Sequence, residues 1–256
     1  MSMMIPSNSI KVVAFDLDGT IYQGNDLIEG ADSAVQYVRN LGYHVIFLTN
    51  NSTKSRVEIL SKLQAMGISC SIDDVYNSGH AAALFVQSLG LTDVYVSGSD
   101  GLKKEFADLG ITMSDDSKTL VIGYNPDFDY GMLTDVVNIA LNADCIIVCN
   151  KERTYPGTNG KRMPGCGAMV SAVEWCSNRT ADYVVGKPNK LMIDIIAEKY
   201  AISPTEFLVV GDTYESDILM ANAAGAYSIL ITGEMYPDTV CIKSINELYN
   251  HIKVSR

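Results

Sequence analysis

The chain has 256 residues, 47% of them hydrophobic and 19% charged, enough for one large domain or two modest ones at about 150 residues each. That balance excludes a disordered, collagenous or coiled-coil chain. With 19 Lys and Arg against 30 Asp and Glu, the net charge is −11, a field that repels nucleic acid and anionic membranes and demands a local cation wherever an anionic ligand binds.

Along the chain, apolar stretches of strand length alternate with amphipathic stretches of helix length. Residues 12–17 read as a buried strand, 31–41 as a helix with Ala34, Val35, Val38 and Leu41 on one face, and 45–48 as the next strand. A helix follows over 54–66, with Ser52 or Thr53 as its cap and Gly67 as its stop. The middle repeats the rhythm with strands at 94–96, 120–122 and 145–148 and helices near 102–109, 131–141 and 168–176. Beyond it come a helix over 191–200, with Asn189 as candidate cap, a strand at 207–210, a helix at 216–224 stopped by Gly225, and a strand at 227–231. Ser244-Ile245-Asn246-Glu247 has the spacing of a capping box that opens a last short helix. The pattern predicts an α/β fold built on a doubly wound, mostly parallel sheet. The middle strands suffice for a second sheet, hence a second domain inserted into the first, with crossings near Ser78-Gly79 and residues 179–182.

No apolar run approaches the roughly 18 residues of a transmembrane helix. The short apolar stretch near the start runs straight into Asp16 and Asp18, which argues against a secretory leader. The six cysteines form no C-x-x-C pair, and Cys145, Cys149 and Cys241 lie among apolar residues, as reduced core thiols do. A reducing cytoplasm is the expected location.

Four polar clusters punctuate the pattern. Asp16-Leu17-Asp18-Gly19-Thr20 follows the first strand directly, where a turn eased by Gly19 can bring both carboxylates toward one point. Two carboxylates in one small space repel, so one is protonated or a cation sits between them. Thr49-Asn50-Asn51 ends the second strand just before a helix; hydroxyl, amide and main-chain N–H groups there suit a phosphate, and equally suit a capped turn. Gly186-Lys187-Pro188-Asn189 offers a lysine that reads as a solvated turn residue when taken alone. Gly211-Asp212, followed by Ser216 and Asp217, reads either as a capped turn or as an all-oxygen site for a hard cation. Each cluster stands at a strand's carboxyl end or in a turn able to reach one, the place where doubly wound sheets bind ligands.

Other chemistries lack their residues. Gly165-Cys166-Gly167 half-matches a dinucleotide fingerprint but follows Arg162-Met163-Pro164 instead of a strand. There is no P-loop, and no cysteine carries an arginine at the spacing a cysteine phosphatase needs. His44, His80 and His251 are scattered and share no zinc-ligand spacing with the cysteines.

In order and content the four clusters resemble the motifs of the haloacid dehalogenase (HAD) superfamily, most closely its p-nitrophenylphosphatase-type, NagD-like subfamily (IIA), over nearly the whole chain. The resemblance implies a Rossmann-like core from residues 1–79 and 181–256, with an α/β cap of the C2 type over 80–180. It implies a Mg²⁺-dependent phosphatase acting on small phosphomonoesters through an aspartyl-phosphate. Asp16 would be nucleophile and metal ligand. Asp18 would be general acid and base, and would hold the metal through its main-chain carbonyl. Asp212 would be the second carboxylate ligand, with Asp217 in the outer shell. Thr49, Asn50, Asn51 and Lys187 would bind the phosphate oxygens. From the residues alone, Asp16, Asp18 and Asp212 around a phosphate would be prohibitively anionic without a divalent ion, and oxygen ligands favour Mg²⁺. A carboxylate at Asp18 resembles the phosphatases and phosphomutases of the superfamily, not its dehalogenases or transport ATPases. A phosphomutase and a phosphate-binding protein with little turnover are the alternatives.

The expected partner is a small phosphorylated metabolite, and the resemblance alone suggests a homodimer through the cap. Lys151, Arg153, Lys161 and Arg162 gather in one cap loop, where they read either as a solvated stretch or as a counter-charge to a second anionic group of the substrate. Where the subfamily often has Asn-x-Asp in a substrate-facing cap loop, this chain has Asn150-Lys151-Glu152.

Overall fold

The computed structural model describes residue 5 and residues 9–157 and 161–252. They divide into two compact units, one made of Met1–Thr49, Ile59–Tyr76 and Lys187–Arg256, the other of Asn50–Glu58 and Asn77–Gly186.

The first unit is built on a six-stranded sheet in the order Val240–Ile242, Tyr227–Ile231, Phe207–Gly211, Val12–Asp16, His44–Thr49, Val75–Asn77. Every register recorded within it is parallel. All five residues of Val12–Asp16 and all five of Phe207–Gly211 are buried, which is why residues 12–15 and 207–210 read as apolar runs without alternation: helices cover both faces of a parallel sheet. From the central strand Val12–Asp16 the chain winds outward through His44–Thr49, while Phe207–Gly211 starts the other wing. The sheet therefore changes direction between these two neighbours, a topological switch point. One core gathers Val13, Phe15, Phe47, Leu208, Val210 and Ile229 with Val35 and Val38 of the helix Ala31–Asn40.

The second unit has a five-stranded sheet, Tyr183–Val184, Cys145–Val148, Thr119–Ile122, Asp93–Ser97, Thr112–Met113, again parallel throughout. Leu120, Ile122, Ile146 and Val148 pack with Val136 and Ala140 of the helix Tyr130–Asn142 and with Val170 and Val173 of Cys166–Ser177. Among the described residues no helix is long and apolar enough to cross a membrane. All six cysteines are free thiols.

The expected α/β architecture is what the chain adopts, with local corrections. The helix expected over 54–66 spans Arg56–Ala65, and neither Ser52 nor Thr53 caps it. Ser55 does: its main-chain N–H donates to Glu58 Oε2 at 2.9 Å and its hydroxyl accepts from the Glu58 N–H at 3.4 Å, a reciprocal capping box. At the other end the expected box is absent. Ser244 makes no side-chain cap bond, and Ile245–Asn250 is a 3₁₀ helix. The helix expected at 216–224 begins earlier, as a π-helical turn over Tyr214–Ile218 that passes into an α-helix at Leu219–Ala224. The helix Ser78–Ser88, buried over most of its length, was not foreseen.

Candidate active site

The site lies at the carboxyl end of the switch point. The parallel register pairs Phe15 with Val210, so Asp16 closes one strand beside Gly211, and Asp212 is the next residue after the other. Parallel strands thus deliver two carboxylates to one edge from positions far apart in sequence. Asp217 joins them through the π-helical turn, a feature that recurs at functional sites because its extra residue re-aims a side chain. Within that turn the Asp217 N–H donates to the Thr213 carbonyl at 2.9 Å, and the Thr213 N–H donates to Asp217 Oδ2 at 3.2 Å.

Lys187 reaches this edge from the opening of the chain's last third. Its ammonium is buried and donates to Asp16 Oδ1 at 2.5 Å and to Asp217 Oδ1 at 2.6 Å. Burial alone would pull a lysine's pKa down; here Asp16 and Asp217 outweigh it and hold the ammonium above its ordinary value. Burial pushes the Asp16 carboxyl well up, opposed by Lys187 and reinforced by Asp217 and Asp212. Burial, then Asp217, pushes Asp212 up to about 6, with Lys187 opposing. Three carboxylates face one ammonium, so the cluster is under-neutralised.

The donor set fits a hard divalent cation. One carboxylate oxygen each from Asp16, Asp212 and Asp217 lie within 4.8 Å of one another, and all are oxygen donors of the kind Mg²⁺ takes. Gly19, at φ +90°, closes the wall of this cluster: a Cβ there would collide with the Asp212 carboxylate, so the turn needs glycine twice over, for its backbone and for its missing side chain.

Asp18 stands just past Asp16 and keeps a face open to solvent, yet the protein around it pushes its carboxyl up. Lys62, then Tyr22, oppose that shift. Neither residue was singled out in the sequence. A tyrosine after a turn reads as core, and a lysine on a helix reads as solvated. Thr49 ends the neighbouring parallel strand and is buried.

Asn50 and Asn51 belong to the second unit. Asn50 is buried; its carbonyl accepts from Ser78 Oγ and Asn150 Nδ2, each at 2.8 Å, and its amide donates to Glu152 Oε1 at 2.9 Å. Asn51 Oδ1 accepts from the Thr53 N–H at 2.9 Å, the Thr53 hydroxyl at 2.7 Å and the Lys54 N–H at 3.2 Å, as a turn-capping asparagine does. Of the four basic residues of the cap loop, Lys151 pairs with Glu174 at 2.7 Å, and Arg162 donates to Thr154 Oγ1 at 3.4 Å across the hairpin of Thr154–Pro156 and Arg162–Pro164. Arg153 and Lys161 are exposed. The tip of that hairpin, 158–160, lies outside the described residues.

Comparison with known proteins converges on one family. A family model for haloacid dehalogenase-like hydrolases matches residues 13–112, and a second, HAD-hydrolase-like model matches 184–247. The sugar-phosphatase AraL of Bacillus subtilis is 32% identical, over 86% of this chain and 82% of its own. The glycerol-3-phosphate phosphatase of Mus musculus is 29% identical, over 88% of this chain and 79% of its own. The crystal structure of a 4-nitrophenylphosphatase from Thermotoga maritima superposes with a TM-score of 0.89 at 26% identity, covering 96% of this chain and 99% of that one.

Proposed function

This chain belongs to the haloacid dehalogenase-like hydrolase family and is a phosphatase of that type, and from that premise we propose that it hydrolyses small phosphorylated metabolites with Mg²⁺ through a phosphoryl-enzyme on Asp16. The observation that carries the proposal is the cluster of Asp16, Asp212 and Asp217 around the Lys187 ammonium at the switch point.

Asp16, the Asp18 main-chain carbonyl and Asp212 would hold the ion. Both oxygens of Asp217 take protein donors, one from Lys187 and one from the Thr213 N–H, which supports an outer-shell place for it. Once bound, Mg²⁺ would neutralise the surplus carboxylate charge and polarise a phosphoryl oxygen.

The protein's own groups do the rest. An Asp16 oxygen attacks phosphorus in line as the ester P–O bond breaks, and Asp18 gives its proton to the departing oxygen. Asp18, now a carboxylate, takes a proton from water as that water attacks the same phosphorus. Inorganic phosphate leaves, and Asp16 and Asp18 return to their starting states. Thr49 and Lys187 hold the phosphoryl oxygens, and Lys187 offsets the charge that builds on them. The names of the relatives, a sugar phosphatase and a glycerol-3-phosphate phosphatase, support compact polar leaving groups.

The test is phosphate release from p-nitrophenyl phosphate and a panel of sugar, glycerol and nucleotide phosphates, in Mg²⁺ and in EDTA. Release that needs Mg²⁺ is expected. Transfer of phosphate between sugar positions with little release would replace the proposal with a phosphomutase. No turnover of any compound despite bound Mg²⁺ would overturn it.

A further inference from the structure

We infer that Asp238 is a positioning residue for Asp217: one of its carboxylate oxygens staples the π-helical turn to the α-helix that follows, and so holds Asp217 against Lys187. The inference rests on the outer-shell place proposed for Asp217 and deepens it.

Two donors meet on that oxygen. The Tyr214 hydroxyl donates to Asp238 Oδ2 at 2.8 Å, and Asn222 Nδ2 donates to the same atom at 2.7 Å. Tyr214 is the first residue of the π-helical turn Tyr214–Ile218, and Asn222 lies in the helix Leu219–Ala224 that continues it. They are eight positions apart. In an unbroken α-helix, residues at that spacing point about 80° apart around the axis; one extra residue in a π turn reduces the difference to about 20°. The two donors share a face because the turn is π-helical, and their meeting on one atom fixes that register.

Asp238 itself stands on fixed ground. The next residue, Thr239, is buried, and its hydroxyl accepts from Ser228 Oγ at 2.7 Å. Val240 then opens the strand Val240–Ile242, in parallel register with Ile229. On the other side, the Tyr236 N–H donates to Cys241 Sγ at 3.3 Å, which turns the connection back on that strand. The Tyr236 ring stacks on Tyr214, with centroids 4.4 Å apart and planes at 21°. Asp238 Oδ1 is closed off from solvent and takes no donor among the described residues. An acceptor buried unpaired costs free energy, so the carboxylate is explained by what Oδ2 holds and not by packing.

The consequence reaches the site through Asp217, three residues after Tyr214. Asp217 takes the Lys187 ammonium on Oδ1 at 2.6 Å and the Thr213 N–H on Oδ2 at 3.2 Å, and its aim at Lys187 depends on how the turn is wound. Relaxation to plain α-helix would swing Tyr214 by about 100°, off Asp238, and would turn Asp217 with it, off Lys187. A single π turn is a rare winding and needs a tether outside itself. Asp238 supplies it. Outer-shell groups orient a metal's ligands, so a turn freed from the staple binds Mg²⁺ more weakly.

The experiment titrates Mg²⁺ into the metal-free protein by calorimetry, with a thermal melt on each variant. It compares wild type, Asp217→Ala, Asp238→Ala, Tyr214→Phe and the double variant Asp217→Ala/Asp238→Ala. Asp217→Ala is expected to weaken binding about tenfold, as loss of an outer-shell partner does, Asp238→Ala about fivefold and Tyr214→Phe about threefold. In the Asp217→Ala background, Asp238→Ala should add less than about twofold, because no carboxylate is left to aim. A merely structural role would lower the melting temperature and leave the two losses additive. Asp238→Ala protein that binds Mg²⁺ as the wild type does, or a full Asp238→Ala loss on top of Asp217→Ala, overturns the inference and leaves the site reading in place. A wild type that takes up no Mg²⁺, or an Asp217→Ala protein that binds it unchanged, overturns the reading of the site and the inference with it. If Asp238→Ala fails to fold, the same cycle run with Tyr214→Phe, which keeps its ring on Tyr236, decides.

Discussion

The Lys187 ammonium lies 2.5 Å from Oδ1 of Asp16, a partner 171 positions earlier in the chain, with both side chains almost fully removed from solvent. The pair makes Lys187 a structural charge, in addition to the phosphate contact proposed for it. Its removal would strand two buried carboxylates, Asp16 and Asp217, with Asp212 beside them. Lys187→Met keeps the length of the side chain and removes the charge. We expect it to destabilise the metal-free protein by about 3–5 kcal/mol, the usual cost of breaking a buried ion pair on one side, and to weaken inhibition by inorganic phosphate. Denaturant melts and phosphate titrations measure the two effects. A variant unchanged in both would return Lys187 to the status of a turn residue.

Asp16→Asn should separate chemistry from architecture. The amide keeps the shape of the side chain and an oxygen that can accept from Lys187, and it relieves repulsion from Asp212 and Asp217, which both push the Asp16 carboxyl up. Stability should therefore hold or rise, while turnover falls by roughly a thousandfold or more, because an amide is not a nucleophile at phosphorus. Acid quench of the wild-type enzyme with radiolabelled substrate should trap a hydroxylamine-sensitive label that Asp16→Asn lacks. A labelled or active Asp16→Asn protein contradicts the assignment.

The under-neutralised cluster also predicts a coupling between metal and stability. Mg²⁺ at a hundred times its dissociation constant should raise the free energy of unfolding by about 2.7 kcal/mol, the general linkage for a ligand bound only by the folded state. Asp212→Asn replaces one of the three converging carboxylates with a neutral amide, a far weaker ligand for a hard cation. It should lose most of that stabilisation together with activity, and EDTA should reproduce both losses in the wild type. An activity indifferent to EDTA would remove the metal from the proposal.

How far the sequence anticipates this site follows from the length scale of each signal. Asp16 and Asp212 stand out because each ends a run of apolar and glycine residues, 12–15 before Asp16 and Phe207–Gly211 before Asp212, all of them buried. Lys187 does not, since only the fold carries it to Asp16. Tyr22 and Lys62 are less visible still: one is an aromatic beside a core, the other a lysine on a helix, and their contact with each other, close enough to Asp18 that both act on its carboxyl, exists only after folding. The same distinction runs through the fold. Helices with one apolar stripe, such as Ala31–Asn40, are legible, whereas Ser78–Ser88 is buried on nearly every side and has no stripe to read. Caps can mislead in either direction. Ser55 and Glu58 had the capping-box spacing and formed a box two or three residues later than expected, while Ser244 and Glu247 had it and did not.

Glu105 gives a prediction within the second unit that owes nothing to catalysis. It is 2% exposed on the helix Asp100–Asp108, accepts from the Arg56 main-chain N–H at 2.5 Å and from Arg56 Nε at 3.3 Å, and lies 3.1 Å from His80 Nδ1. Asn77 Oδ1 accepts from the His80 N–H at 2.6 Å, so one buried carboxylate ties the segment that opens at Asn50 to the segment that opens at Asn77. Glu105→Ala should cost about 1–3 kcal/mol by removing the acceptor of the part-buried Arg56 main-chain N–H together with a carboxylate beside the Arg56 side chain. Glu105→Gln retains an acceptor and should cost distinctly less. Hydrogen exchange should place the loosening at residues 50–58 and 77–80. A Glu105→Ala protein as stable as the wild type would mean that the two segments are held by packing alone.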